Sequence, residues 1–121
     1  MKHLALAFTL SLVAGAVGAQ QPTCERNAGG VFEDISCAAA ALKVAEHELA
    51  ATYSQLLGIL PAPEAAALRK AQDAWLKFVE ADVLFVEAWE GAGSAGRLVI
   101  ANSRERLTRE RTLELKSWTP R

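Results

Sequence analysis

Between residues 34 and 117 the apolar positions recur at the period of an α-helix, in three blocks. In the first, Ile35, Leu42, Leu49 and Leu56 stand seven residues apart, and Ala38, Ala45, Thr52 and Ile59 fill the adjoining row. One continuous stripe of this kind predicts a helix over about 34–60, capped by Asp34 or Ser36. Pro61-Ala62-Pro63 stops it, because proline has no N–H to donate and disfavours helix in the residue before it.

The second block places Leu68, Trp75, Phe78, Val79, Phe85, Val86 and Trp89 on a broad aromatic stripe and predicts a helix over about 63–89. The run Gly91-Ala92-Gly93-Ser94-Ala95-Gly96 breaks it and reads as a mobile turn, with Ser94 as the expected cap of the next helix. That third helix is expected over about 95–117, with Leu98, Val99, Ile100, Ala101, Leu107, Leu113 and Leu115 as its apolar set. No strand pattern or repeat competes. Short links favour antiparallel neighbours, so the expected fold is all-α: a small antiparallel bundle of three main helices.

The N-terminus obeys a different rule. Lys2 and His3 precede an uncharged run from Leu4 to Val17, and Val17-Gly18-Ala19 supplies small residues at the positions a signal peptidase reads. This is the pattern of a secretory signal with the cut after Ala19. The run is shorter than the roughly 20 residues of a membrane span, so no stable membrane insertion is expected after cleavage. Residues 1–19 are then a signal peptide, residues 20–121 a single helical domain, and the location periplasmic or secreted.

Export gives Cys24 and Cys37 a meaning. In an oxidising compartment a lone pair of cysteines reads as one disulfide, here closing a 14-residue loop at the start of the domain. No further cysteine or nearby histidine completes a tetrahedral metal site, and no cofactor is expected.

The chain of 121 residues carries 13 basic and 14 acidic groups, net −1. Losing Lys2 with the signal brings this to −2, which argues against a dedicated nucleic-acid binder. Charge is uneven, with six basic and three acidic groups between residues 97 and 116. Glu105 with Arg109, and Arg106 with Glu110, are spaced to pair along one helix, and acids of the first two helices can meet the remainder. Two polar residues fall on apolar rows: Asp82, in register with Leu68, Trp75 and Trp89, and Arg111, four after Leu107. Each needs a partner, and the two could serve one another.

Catalytic groups are scarce. His47 faces away from the stripe of its helix, and its neighbours one turn off are Lys43, Val44, Ala50 and Ala51. Neither a metal pair nor a nucleophile–base unit can form there. Glu80 and Asp82 are two apart and diverge on a helix. The glycine-rich segment lacks the Lys and Ser or Thr of a phosphate loop. A non-enzymatic protein is expected.

The order of features resembles the LprI-like family of lysozyme inhibitors, secreted bacterial helical domains. Cys24 and Cys37 match its N-terminal cysteine pair. Leu49 and Tyr53 match its first-helix pattern. Leu68, Gln72, Trp75 and Phe78 match an L-x-x-x-Q-x-x-W-x-x-aromatic signature, with Glu80 in place of the usual Asp. Thr108, Arg111 and Leu115 match the last helix. The resemblance spans about Cys24 to Lys116. It implies an all-α fold, export and a protein partner, a lysozyme. The motif residues Leu49, Tyr53, Gln72, Trp75, Phe78, Glu80, Thr108 and Arg111 read as architectural.

Besides Glu80, the chain departs from the family at four places. Val83 and Ser103 stand where a second cysteine pair is common, Val79 where an Arg is usual, and Ala50 where an Asn is usual. The residues are compatible with two functional classes. One is an inhibitor that occludes a lysozyme cleft, using Glu87, Glu90, Ser94 and Arg97 around the glycine-rich turn as its partner-binding groups. The other is an envelope interaction module unconnected with lysozyme.

Overall fold

The computed structural model describes Cys24 and residues 30–119. The expected signal peptide and its cleavage site lie outside the described residues. Three helices account for almost all of what is described: α1 (Val31–Ile59), α2 (Ala62–Glu90) and α3 (Ser94–Ser117). Cys24 is disulfide-bonded to Cys37, in the second turn of α1, with their Cα atoms 5.2 Å apart.

The helix ends differ from expectation in a consistent way: backbone caps them, not side chains. α1 starts at Val31, and the Gly30 carbonyl accepts the N–H groups of Glu33 and Asp34, each at 3.0 Å. Asp34 and Ser36 therefore lie inside the helix, and Glu33 and Asp34 place acidic charge at its positive end. α2 opens on Pro61, with Pro63 in its first turn, where a missing N–H costs nothing. The cap of α3 is Gly93, and Ser94 is already its first helical residue.

Ion pairs and packing give the directions of the helices. Gln72 meets Arg111 and Asp82 meets Ser103, so α2 and α3 run antiparallel. Glu46 pairs with Arg104, and Leu56 packs in one cluster with Leu115, so α1 and α3 run parallel. α3 packs on both other helices, most extensively on α1. The consecutive helices α1 and α2 approach each other only slightly, contrary to the expectation from their short link. Their contact is made by side chains. Leu49, Leu56 and Leu115 form the buried cluster, and Tyr53, Leu60, Leu68 and Trp75 close around it.

A central position explains the inner surface of α3. It buries Leu107 and Leu115, but also Thr108, Arg111 and Thr112. The threonines satisfy themselves: Thr108 Oγ1 donates to the Arg104 carbonyl at 2.7 Å and Thr112 Oγ1 to the Thr108 carbonyl at 2.9 Å. Among the described residues no buried side-chain polar atom lacks a partner. Three apolar residues assigned to the core face outward instead: Ile59 on α1, and Val99 and Leu113 on α3.

The largest departure is on α2. Its buried residues are Ala65, Gln72 and Val79, with Leu68, Trp75, Asp82 and Val86 half-buried beside them. Phe78, Phe85 and Trp89, expected on the same stripe, are exposed. The predicted stripe was too wide for one neighbour to cover: it spans two faces, and α3 takes only one.

Candidate functional site

Two places on the surface gather residues singled out from the sequence. The first is a groove of about 380 Å³ where α1 and α2 diverge above α3. Leu49, Ala50 and Tyr53 form one wall, Trp75, Leu76 and Val79 the other, and Gln72 and Thr108 lie at its base. Glu46 and Arg104 stand at its edge, paired across it at 3.7 Å with both side chains about half exposed. Arg104 also borders a second recess, lined by Val79, Glu80, Val83 and Leu84.

Five of the motif residues therefore meet in one groove: Leu49, Tyr53, Gln72, Trp75 and Thr108. Arg111 is tied to it from beneath. Its Nε donates to Gln72 Oε1 at 3.1 Å, and its Nη1 donates to Glu114 Oε2 at 2.7 Å. The anticipated Asp82–Arg111 pair does not form. Asp82 instead accepts a hydrogen bond from Ser103 Oγ at 3.1 Å, ten residues along α2 from Gln72. The helix rise of about 1.5 Å per residue keeps the two polar contacts roughly 15 Å apart. Phe78 and Glu80 do not join the groove; both are exposed.

The second place is the corner between α2 and α3. Glu87 and Glu90 lie exposed in the last turns of α2, Arg97 is exposed in the first turn of α3, and Ser94 is half-buried between them. The corner is a tight joint, shorter than the Gly91–Gly96 break expected: only residues 91–93 separate the helices. Gly91 has φ +82°, in the region glycine occupies freely, and its N–H closes α2 on the Glu87 carbonyl at 2.9 Å. Gly96 is buried, and a Cβ there would collide with the Gly91 carbonyl oxygen and lie 3.1 Å from its carbon. Glycine at 96 is what lets α3 fold back this sharply.

The charges of α3 are largely met as the spacing predicted. Arg106 pairs with Glu110 at 3.0 Å, and Arg109 pairs with Glu105. Lys116 reaches Glu48 on α1. That hydrogen bond and the attached charge hold the Glu48 carboxyl below its ordinary value, and Glu105 likewise raises Arg109. At the corner the acids are not met. α2 has no basic residue in its last turn, and among the described residues Glu87 and Glu90 join no ion pair.

A family model described as lysozyme inhibitor LprI matches residues 24–115. The chain belongs to the LprI lysozyme-inhibitor family. Comparisons with curated proteins and with solved structures each returned no match. The matched span begins at the disulfide and ends at the buried Leu115, so it covers the groove and the corner alike. The departures from the LprI pattern fall in meaningful places. Ala50 and Val79, which stand where the resemblance implies Asn and Arg, both line the groove as apolar residues. At Ser103, where a cysteine is common, the hydrogen bond to Asp82 now ties α2 to α3.

Sequence reasoning identified the motif residues but not the cavity they form. It also missed Glu46, Arg104 and Leu76. The spacing of Glu46 and Arg104 offers no sign of pairing, because the contact depends on how α1 and α3 align.

Proposed function

We propose that this protein is an exported inhibitor-type binding protein that blocks a lysozyme through its α2–α3 corner. The observation that carries this reading is the uncompensated acidic end of α2. Glu87 and Glu90 add full negative charge to a helix terminus that is already partly negative. A cationic partner relieves this, and a basic lysozyme provides one. Ser94 and Arg97 supply donors. A lysozyme cleft works with two carboxylates, and donors set against them occlude it without any chemistry by the inhibitor. The family description supports the partner class, and the N-terminal signal pattern and the disulfide support export to the periplasm or beyond.

The test is titration of the folded, oxidised protein against a lysozyme over a salt series. Inhibition is expected at low salt and should weaken as exposed charges are screened. Arg97→Ala should weaken it without unfolding the helices. Full lytic activity at a large molar excess of the protein would remove this reading. The groove favours the second reading, an envelope interaction module. Its walls are apolar and aromatic with a few polar groups at base and edge, as in many ligand sites.

A further inference from the structure

The outer face of α2 has a regularity of its own. Starting at Ala71, steps of three and four residues land in turn on Ala74, Phe78, Ala81, Phe85 and Ala88, and all six are exposed. That is the spacing of a coiled-coil seam, kept for two and a half heptads without a charge on it. The seam is not made of small residues alone. Phe78 is 52% exposed and Phe85 64%, and Trp89 beside them is 78% exposed. The Phe85 and Trp89 rings lie 6.3 Å apart, so they form one continuous apolar surface. Soluble monomers rarely leave so large a connected face in water.

We infer that this face pairs with the same face of a second copy, with the two α2 helices antiparallel about a two-fold axis. Self-complementarity is the reason. In a two-fold contact, if residue i meets j, then j meets i. Setting Phe78 against Ala81 of the other copy sets Phe85 against Ala74 and Ala71 against Ala88. Each phenylalanine then faces an alanine, large into small, in every layer that holds one. A parallel pair would stack phenylalanine on phenylalanine and leave the alanine layers underfilled. In the antiparallel register Lys77 falls beside Leu84 of the other copy, which is 67% exposed, and its aliphatic stem can cover that side chain while its charge stays in water. Aromatic side chains carry about 150–250 Å² each, so the exposed parts of Phe78, Phe85 and Trp89 offer roughly 300–500 Å² per copy. Leu84 and the alanines bring this toward the ~800 Å² per partner of a standard interface.

Sedimentation of the purified, oxidised protein tests the pairing. The expected mass is that of two chains. Ala81→Glu places a carboxylate against Phe78 twice, once on each side of the axis, and should return the mass of one chain with the helical circular dichroism unchanged. Ala74→Glu should do the same at the Phe85 layer. Asp73→Lys, one position off the seam, should leave the dimer in place. A single chain at the highest soluble concentration would overturn the inference, as would a dimer that survives Ala74→Glu and Ala81→Glu together. Lysozyme inhibition measured on the same samples separates this outcome from that of the corner, because the glutamates of the corner are not on the seam.

Discussion

On its inner face α2 buries Gln72 and Val79 and half-buries Leu68 and Trp75; on its outer face Phe78, Phe85 and Trp89 stand in water. A carboxamide is thus better hidden than two phenylalanines and a tryptophan on the same helix. Hydrophobicity does not decide this; partners do. Gln72 is accepted in the interior because the Arg111 guanidinium donates to it, and Arg111 is accepted because Glu114 takes a second of its donors. The outer residues have no facing helix among those described. The inner face holds the domain together, and the outer face with its acidic end is available to something else.

Breaking the inner network should have the largest effect. Arg111→Ala removes the only donor to buried Gln72 among the described contacts and takes away the packing of the arginine stem, and is expected to cost about 3 kcal/mol, measured by urea unfolding. A loss under about 1 kcal/mol would mean that solvent reaches Gln72. Reduction of Cys24–Cys37 comes next. It fastens the chain at the start of α1. It should lower stability by up to about 3 kcal/mol and leave helix content and groove intact, as circular dichroism will show.

The two tryptophans give the sharpest contrast. Trp75→Ala should cost about 2 kcal/mol, less than the 3–5 of a fully enclosed aromatic, because its ring is half-buried against the leucine cluster. Trp89→Ala should change the stability of the dilute protein by no more than about 0.5 kcal/mol. Equal losses at both sites would erase the distinction between the faces. The smallest effect concerns pH. The Glu48 carboxyl is lowered by its hydrogen bond to Lys116 and by that residue's charge. Its contribution is therefore fully present above the ordinary value of 4.5 and is lost as pH falls through the lowered one. Glu48→Gln should flatten a small part of the acid limb of a stability–pH curve and leave neutral pH almost unchanged.

The three helices, their number and nearly their ends were legible because proline and glycine punctuate strong periodic blocks. The disulfide was legible from two cysteines behind a secretory pattern. The faces of α2 were not. A stripe holding Trp75, Phe78, Val79, Phe85, Val86 and Trp89 is wide enough to serve two neighbours, and periodicity does not say how many a helix has. The burial of Thr108 and Thr112 was hidden for a related reason: a threonine that bonds its own helix can sit inside, but only the packing of α3 against both partners puts it there. The motif residues were recognised singly, whereas the groove depends on α1 and α2 standing apart, which their short link argued against. The corner residues were named from local charge, and the tightness of the joint came from Gly96, whose role depends on the nearby Gly91 carbonyl.

The most direct test of the central claim sets partner and fold against each other in one experiment. A lysozyme is titrated with the oxidised protein and with a Glu87→Lys, Glu90→Lys double variant, and the thermal unfolding of both proteins is recorded in the same buffer. If the acidic corner is the contact, the unaltered protein suppresses lysis at low salt, and the double variant loses most of that suppression while melting at the same temperature. Equal suppression by both proteins, or none by either at large excess, would contradict it.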